Sequence, residues 1–247
     1  MDLLFGTLAL RPYVFAFLAA YLVAASADLG WRRMLGFAFW MWPVALLAEL
    51  TSTRTGFPFG LYQYTSATRG RELFLADVPL MDPLSFTFLA YGSFCLARAT
   101  LGSRRAPGWV LPLLSGVLMM LIDVVVDPLA VRGDRWFLGR IFEYAEPGLY
   151  FGVPLSNFAG WVLVGAVGVA GYLRAVGPAG VPGPARVLPG IALYYCVLGF
   201  NLAVTAWLGE WALLLSGGAI HGVLAVVLYT VATRATSTAR DRRFGTE

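Results

Sequence analysis

The sequence predicts an all-α, polytopic membrane bundle of about seven transmembrane helices. Two observations lead there. The 247 residues are 59% hydrophobic and only 13% charged, where a soluble domain carries about 25% charged residues. Seven apolar stretches also reach the length of about 20 residues that a spanning helix needs. They lie near 10–28, 34–51, 83–101, 108–127, 154–174, 188–208 and 211–233. No polar block between them is long enough to fold separately, so 1–247 reads as a single integral-membrane domain ending in a polar tail at 234–247.

Each span has its own punctuation. Pro12 suits the first turn of the first helix, where a missing N–H costs nothing. The length and flanks of this segment predict a retained helix rather than a cleaved signal. Pro43 is expected to bend the second helix by removing a backbone donor. Pro128 is expected to end the fourth, because the residue before a proline resists helical geometry. The Gly/Pro-rich run 177–183 reads as a connector before the sixth span.

Arginine supplies all 18 basic residues and lysine is absent. The N-terminus and the second–third and fourth–fifth loops carry Arg11, Arg54, Arg69, Arg71, Arg132, Arg135 and Arg140. The opposite face carries the larger set, which includes Arg32, Arg33, Arg98, Arg104, Arg105, Arg174, Arg186 and the arginines of the tail. The positive-inside rule then places the C-terminus in the cytoplasm and the chain in the cell (inner) membrane. The net charge of +4 belongs to this loop bias and predicts no nucleic-acid partner. Without a membrane lysine there is no Schiff base, which excludes a retinal protein. Cys95, Cys196 and the lone His221 show no metal-ligand spacing, and no phosphate-binding or dinucleotide motif is present. The reading therefore includes no cofactor and no metal.

The acids carry the functional signal. Glu49 ends the second span, Asp82 begins the third, and Asp123 and Asp127 end the fourth, while Asn157 begins the fifth. Alternating topology brings these ends to one face of the membrane. Asp123 and Asp127, four residues apart, share one side of a helix. Ionisable groups in membrane segments are costly and mark functional sites. Asp28 ends the first span on the opposite face and falls outside the cluster. Asn201 and His221 lie deeper and read as interhelical polar contacts.

Two segments echo each other. Val78-Pro79-Leu80-Met81-Asp82 resembles Val153-Pro154-Leu155-Ser156-Asn157, and each follows a Gly-Leu-Tyr triplet, Gly60-Leu61-Tyr62 or Gly148-Leu149-Tyr150. This suggests a parallel internal repeat of helix, loop and helix covering spans 2–3 and 4–5. The second–third loop, Thr55-Gly56-Phe57-Pro58-Phe59-Gly60-Leu61-Tyr62-Gln63-Tyr64, reads either as an interfacial anchor or as a lid over an apolar ligand.

Several ordered motifs resemble one family. Glu49 precedes Thr-Gly-Phe-Pro-Phe-Gly-x-Tyr-x-Tyr; Val-Pro-Leu, Asp123-x-x-x-Asp127-Pro128 and Gly152-Val-Pro-Leu-Ser-Asn-Phe-x-Gly-Trp161 follow. Together they resemble the integral-membrane carotenoid-biosynthesis family, which includes the acyclic-carotenoid 1,2-hydratases of γ-carotene and bisanhydrobacterioruberin type. The resemblance is strong over roughly 40–175 and rests on hydropathy elsewhere; Asp82-Pro83 departs from it. It implies addition of water across the terminal C1=C2 bond of a ψ-end group to give a tertiary alcohol. It also implies a carotenoid substrate (lycopene, γ-carotene or a C50 precursor), contact with membrane lipid, and other pathway enzymes as partners.

That chemistry needs a carboxyl that still holds its proton near neutral pH, a condition favoured by burial and by a neighbouring carboxylate. Asp123 or Asp127 is the expected acid, Glu49 the group that orients water, and Asn157 and Asp82 polar partners. Tyr62, Tyr64, Trp136, Tyr150 and Trp161 are expected to form an aromatic wall facing the cation. Two other readings compete: a transporter or channel with a buried acidic path, and a membrane protein that binds carotenoid without converting it.

Overall fold

The computed structural model describes residues 2–102, 104, 106–135, 138–177 and 183–244; side chains at 134, 184 and 232–244 are not described. Most of the 177–183 connector and the end of the tail therefore lie outside the described residues. The described chain forms eight α-helices and two small two-stranded sheets. Seven of the helices are long and apolar enough to cross a membrane.

The short helix α1 (Leu3–Leu10) was not anticipated from the sequence. The chain breaks at Arg11 and re-enters helix as α2 (Pro12–Leu29), with Pro12 in the first turn. Gly30, at φ 81°, is the whole connection to α3 (Trp31–Thr55). Gly56, at φ 80°, caps α3 in the left-handed conformation that suits a residue without Cβ. Then come α4 (Met81–Leu101), α5 (Val110–Ala130), α6 (Leu155–Val176), α7 (Pro184–Trp207) and α8 (Trp211–Phe244). The last helix continues well into the stretch read as tail.

Pro128 does not end its helix. The α5 helix runs on to Ala130, and Val131 N–H donates to Asp127 O at 3.0 Å to close the last turn. A proline removes only its own donor, and a membrane helix packed among neighbours tolerates that loss. Pro43 likewise lies inside a continuous α3.

Helix α4 is central. Every residue from Phe86 to Arg98 is buried. Helices α5 and α6 pack closely: a Cβ added at Gly165 would lie 2.8 Å from Gly116 Cα, so the two backbones meet where neither residue has a side chain.

The loops on the carboxyl face are structured. Strand β1 (Tyr62–Tyr64), between α3 and α4, pairs antiparallel with β4 (Phe142–Tyr144), between α5 and α6. The register sets Tyr62 against Tyr144 and Tyr64 against Phe142. Tyr62 thus meets Tyr144 across the two loops. Strands β2 (Phe74–Leu75) and β3 (Val78–Pro79) form a small hairpin leading into α4.

Candidate active site

The end of α3, the start of α4, the end of α5 and the start of α6 surround a cavity of about 140 Å³. Three carboxyls line it: Glu49, Asp82 and Asp127. They reach it from three different helices.

Asp127 and Asp123 are tied together through α6. Asn157 Nδ2 donates to Asp123 Oδ2 at 2.7 Å and to Asp127 Oδ2 at 2.8 Å. Trp161 Nε1 adds a longer bond to Asp127 Oδ2 at 3.4 Å. Asn157 and Trp161, one turn apart on α6, thus face the Asp123/Asp127 side of α5. The two aspartates differ in position. Asp127 lines the cavity, whereas Asp123 lies behind it, fully buried, with Oδ1 lacking a hydrogen-bond partner.

Glu49 is buried and accepts a hydrogen bond from the Tyr64 hydroxyl at 2.7 Å. Arg54, the nearest basic residue in sequence, pairs instead with Asp77 at 2.8 Å. Glu49 is therefore a cavity residue, not half of a surface ion pair.

Asp82 has a fixed counter-ion. Arg11 Nη1 donates to Asp82 Oδ1 at 2.8 Å. The same guanidinium grips Glu72 with two bonds of 3.0 Å, from Nε to Oε2 and from Nη2 to Oε1. Arg11 is 1% exposed and the Glu72 side chain 0%. Burial acts against the Arg11 charge, but Asp82 and Glu72 overcome it and leave the guanidinium more firmly protonated than usual.

The β1–β4 pair covers this floor. Tyr62, Tyr64 and Tyr144 line the cavity and, with Phe142, pack edge-on with ring centroids 5.6–6.3 Å apart. Burial pushes the phenols of Tyr62 and Tyr64 well up, and the Glu49 charge pushes them further. Burial followed by Asp127 does the same to Tyr144. All three hydroxyls therefore stay protonated and available as donors. Opposite them Phe86 stacks on Trp161 at 4.4 Å, with Phe59 beside both. Phe17, Phe88 and Val197 are among its apolar lining residues, and Asn201 also lines it.

Gly160 sets how close the aromatic loop comes. A Cβ there would lie 2.6 Å from Phe59 Cδ1 and 2.8 Å from Pro58 O. The Phe57–Gly60 loop rests directly on α6, which makes it a wall of the cavity.

The residues expected from sequence are distributed as follows. Glu49, Asp82, Asp127, Asn157, Tyr62, Tyr64 and Trp161 line one cavity, with Asp123 immediately behind. Tyr150 lies apart: it packs edge-on against Phe151 and Phe158, and its hydroxyl is buried without a partner. Trp136 lies outside the described residues. Arg11, Glu72, Tyr144 and Phe86 were not singled out as site residues. The available signals were faint: an arginine where an apolar segment starts, an acid directly after two loop arginines, and a Phe-Glu-Tyr triplet in the fourth–fifth loop. His221 does not line the cavity; its Nε2 meets Leu121 O at 2.7 Å. Among the described residues no group of three or more His, Cys, Asp and Glu side chains is arranged to hold a metal ion.

Comparison with known proteins adds two findings. The model of a family described as "Carotenoid biosynthesis protein" matches residues 3–234. Bisanhydrobacterioruberin hydratase of Haloarcula japonica is 36% identical over 121 residues, which are 49% of this chain and 38% of that protein. The chain therefore aligns with well under half of that relative's length. No solved structure matches the chain.

Proposed function

The chain belongs to the carotenoid biosynthesis protein family, and we propose that it is a carotenoid hydratase, adding water across the terminal C1=C2 bond of an acyclic end group. The observation that carries this reading is the placement of Asp127 and Glu49, from separate helices, on one aromatic-walled cavity, each held by a hydrogen-bond donor. The name of the hydratase relative supports the same reaction type.

In the proposed mechanism Asp127 is the general acid. The ψ end group lies with its gem-dimethyl alkene against Asp127, and the polyene leaves past the apolar lining residues Phe17 and Phe88. The Asp127 carboxyl gives its proton to C2, and the π pair forms the new C–H bond. The positive charge that develops at C1 faces Trp161, Phe86 and the β1–β4 tyrosines, whose ring faces stabilise cations. A water held by Glu49 attacks C1 and passes its proton to that carboxylate. The sum is one water consumed and one tertiary alcohol formed, with the proton on Glu49 to be returned to Asp127. No redox step arises, and the reaction proceeds without a cofactor.

Neighbouring groups divide the labour. Asn157 bridges Asp123 and Asp127, so a proton held by the aspartate pair can lie at the cavity edge. Tyr64 orients Glu49 as an acceptor. Asp82, already paired with Arg11, contributes fixed charge and geometry to the water side. General acid catalysis of this kind is worth about 10²–10⁴-fold, and preorganised charge stabilisation supplies the rest.

The substrate is an acyclic carotenoid end: lycopene, γ-carotene or a C50 precursor. The arginine bias supports a carboxyl face outside and a C-terminus on the cytoplasmic side of the inner membrane. Expression in a host that makes lycopene or γ-carotene tests the proposal directly. Pigment heavier by one water is the expected result. Pigment that co-purifies unchanged would make the protein a binder, and the absence of both product and bound pigment would remove carotenoid from the account.

A further inference from the structure

The opposite face of the bundle holds a second, larger hollow of about 910 Å³, between the end of α4, the start of α5 and the end of α6. Its charged lining is entirely arginine: Arg98, Arg104 and Arg174. Leu111, Val167 and Leu173 are among its apolar walls. The Asp127 cavity is at the other end of these helices, so the proposed hydration site does not extend into it.

The three guanidiniums are held differently. Arg98 is buried; its Nη1 donates to Asp28 Oδ2 at 2.6 Å and its Cζ sits 5.0 Å from the Phe94 ring centroid. Its Nε is also buried and has no hydrogen-bond partner. Arg104 donates to two neutral carbonyls, Thr100 O at 2.7 Å and Val231 O at 2.8 Å. Arg174 is exposed on the last turns of α6. Among the described residues Asp28 is the only carboxylate paired with any of the three. The start of α5, with Trp109 64% exposed, borders the same hollow and adds the positive end of a helix dipole.

We propose that this hollow binds an anionic phospholipid. The phosphodiester would sit between Arg104 and Arg174, and an acyl chain would lie along Leu111, Val167 and Leu173. Arg104 and Arg174 argue for an acceptor that the protein does not itself provide, since among the described residues no carboxylate pairs with either. The excess of guanidinium over carboxylate argues that this acceptor is anionic, and charge-assisted guanidinium–phosphate bonds are the strong ones. The apolar walls at the end of membrane helices select a lipid over a free ion; basic pockets between such helices suit phospholipid headgroups.

The test uses the full-length protein in nanodiscs of phosphatidylglycerol or phosphatidylcholine, with lipid retained after detergent extraction read by native mass spectrometry. Phosphatidylglycerol is expected to be retained over phosphatidylcholine. The Arg104→Gln/Arg174→Gln double variant is expected to bind it roughly thirtyfold more weakly, each surface arginine being worth about fivefold. Arg174→Gln alone, at an exposed position, should show the fivefold loss and serves if the double variant does not fold. Equal retention of the two lipids, or unchanged retention in the folded variant, would overturn the proposal. Displacement by inorganic phosphate alone would overturn it as well, leaving a bare anion site.

Discussion

Replacing Asp127 with asparagine separates the proton from the shape. Asp127 Oδ2 accepts from Asn157 at 2.8 Å and from Trp161 at 3.4 Å. An asparagine at 127 can turn its carbonyl oxygen to the same donors and keep both bonds. Volume, helix geometry and the Pro128 turn are unchanged. Loss of stability is expected to stay below about 1 kcal/mol, the net value of one hydrogen bond. What disappears is a transferable proton at the cavity wall. General acid catalysis at about 10²–10⁴-fold corresponds to roughly 2.7–5.4 kcal/mol in the barrier. Asp127→Asn is therefore expected to accumulate in the membrane at native level and to form alcohol at least about a hundredfold more slowly. The assay is pigment chromatography with mass detection over a time course, normalised to protein. Turnover within threefold of native would refute Asp127 as the acid. Asp123→Asn run beside it decides whether the proton belongs to the cavity residue or to the one behind it.

Three more outcomes follow from the same geometry. Arg11→Met leaves Glu72 and Asp82 without their counter-ion in a buried place and is expected to destabilise the protein by about 3–5 kcal/mol; thermal unfolding in detergent measures it, and a stability equal to native would contradict the network. Tyr64→Phe removes the donor to Glu49 and should lower turnover at least about tenfold, the value of one hydrogen bond to a charged group at its lower end of about 1.5 kcal/mol. Because burial and Glu49 raise the Tyr64 phenol, this hydroxyl stays protonated through the ordinary phenol range near 10, so the native and Tyr64→Phe pH profiles should run parallel up to about pH 9; a divergence near neutrality would contradict that assignment. Gly160→Ala forces a methyl against Phe59 and Pro58 O and should displace the loop wall, lowering turnover more than it lowers protein level; an unchanged rate would show that this wall is not needed.

How much of this was legible beforehand depends on what each residue's neighbours are. Glu49, Asp127 and Asn157 stood out because alternating topology brings their helix ends to one face, although each alone could equally be an interface, helix-end or capping residue. The aromatic loop was readable because Gly56 and Gly60 frame a run of rings with no role in a helix. Hydropathy cannot show which loops meet. Tyr144 joins the site only because β4 pairs with β1, and their partners are about 80 residues apart, as Tyr62 and Tyr144 are. Arg11 and Glu72 were hidden similarly: one was counted for orientation, the other fell in a loop, and their ion pair spans 61 positions. The different depths of Asp123 and Asp127 were open to arithmetic, because four residues at 1.5 Å each set one about 6 Å below the other. Which of them reaches the cavity depends on packing against α6. Pro128 misled because the rule for the residue before proline describes a preference that membrane helices override.

The Arg11 network also bears on the proposed division of roles among three carboxyls on one cavity. A guanidinium keeps its charge at every relevant pH, so Asp82 is directly paired with a permanent counter-ion, while Glu49 accepts from the neutral Tyr64 and Asp127 from the neutral Asn157 and Trp161. A neutral donor tolerates a change of protonation state in its acceptor far better than a fixed cation does, because no buried charge is left uncompensated. Glu49 and Asp127 are thus the pair suited to exchange a proton during turnover, and Asp82 is the one suited to stay ionised. Reversing that pattern tests the logic. In an Arg11→Met/Glu72→Leu background the apolar pair fills the former ion-pair site and Asp82 loses its cation, so Asp127→Asn should retain more of its activity than in the native background if Asp82 then takes over as acid. A strictly additive double-mutant cycle would show that Arg11 holds the fold together without setting which carboxyl moves the proton.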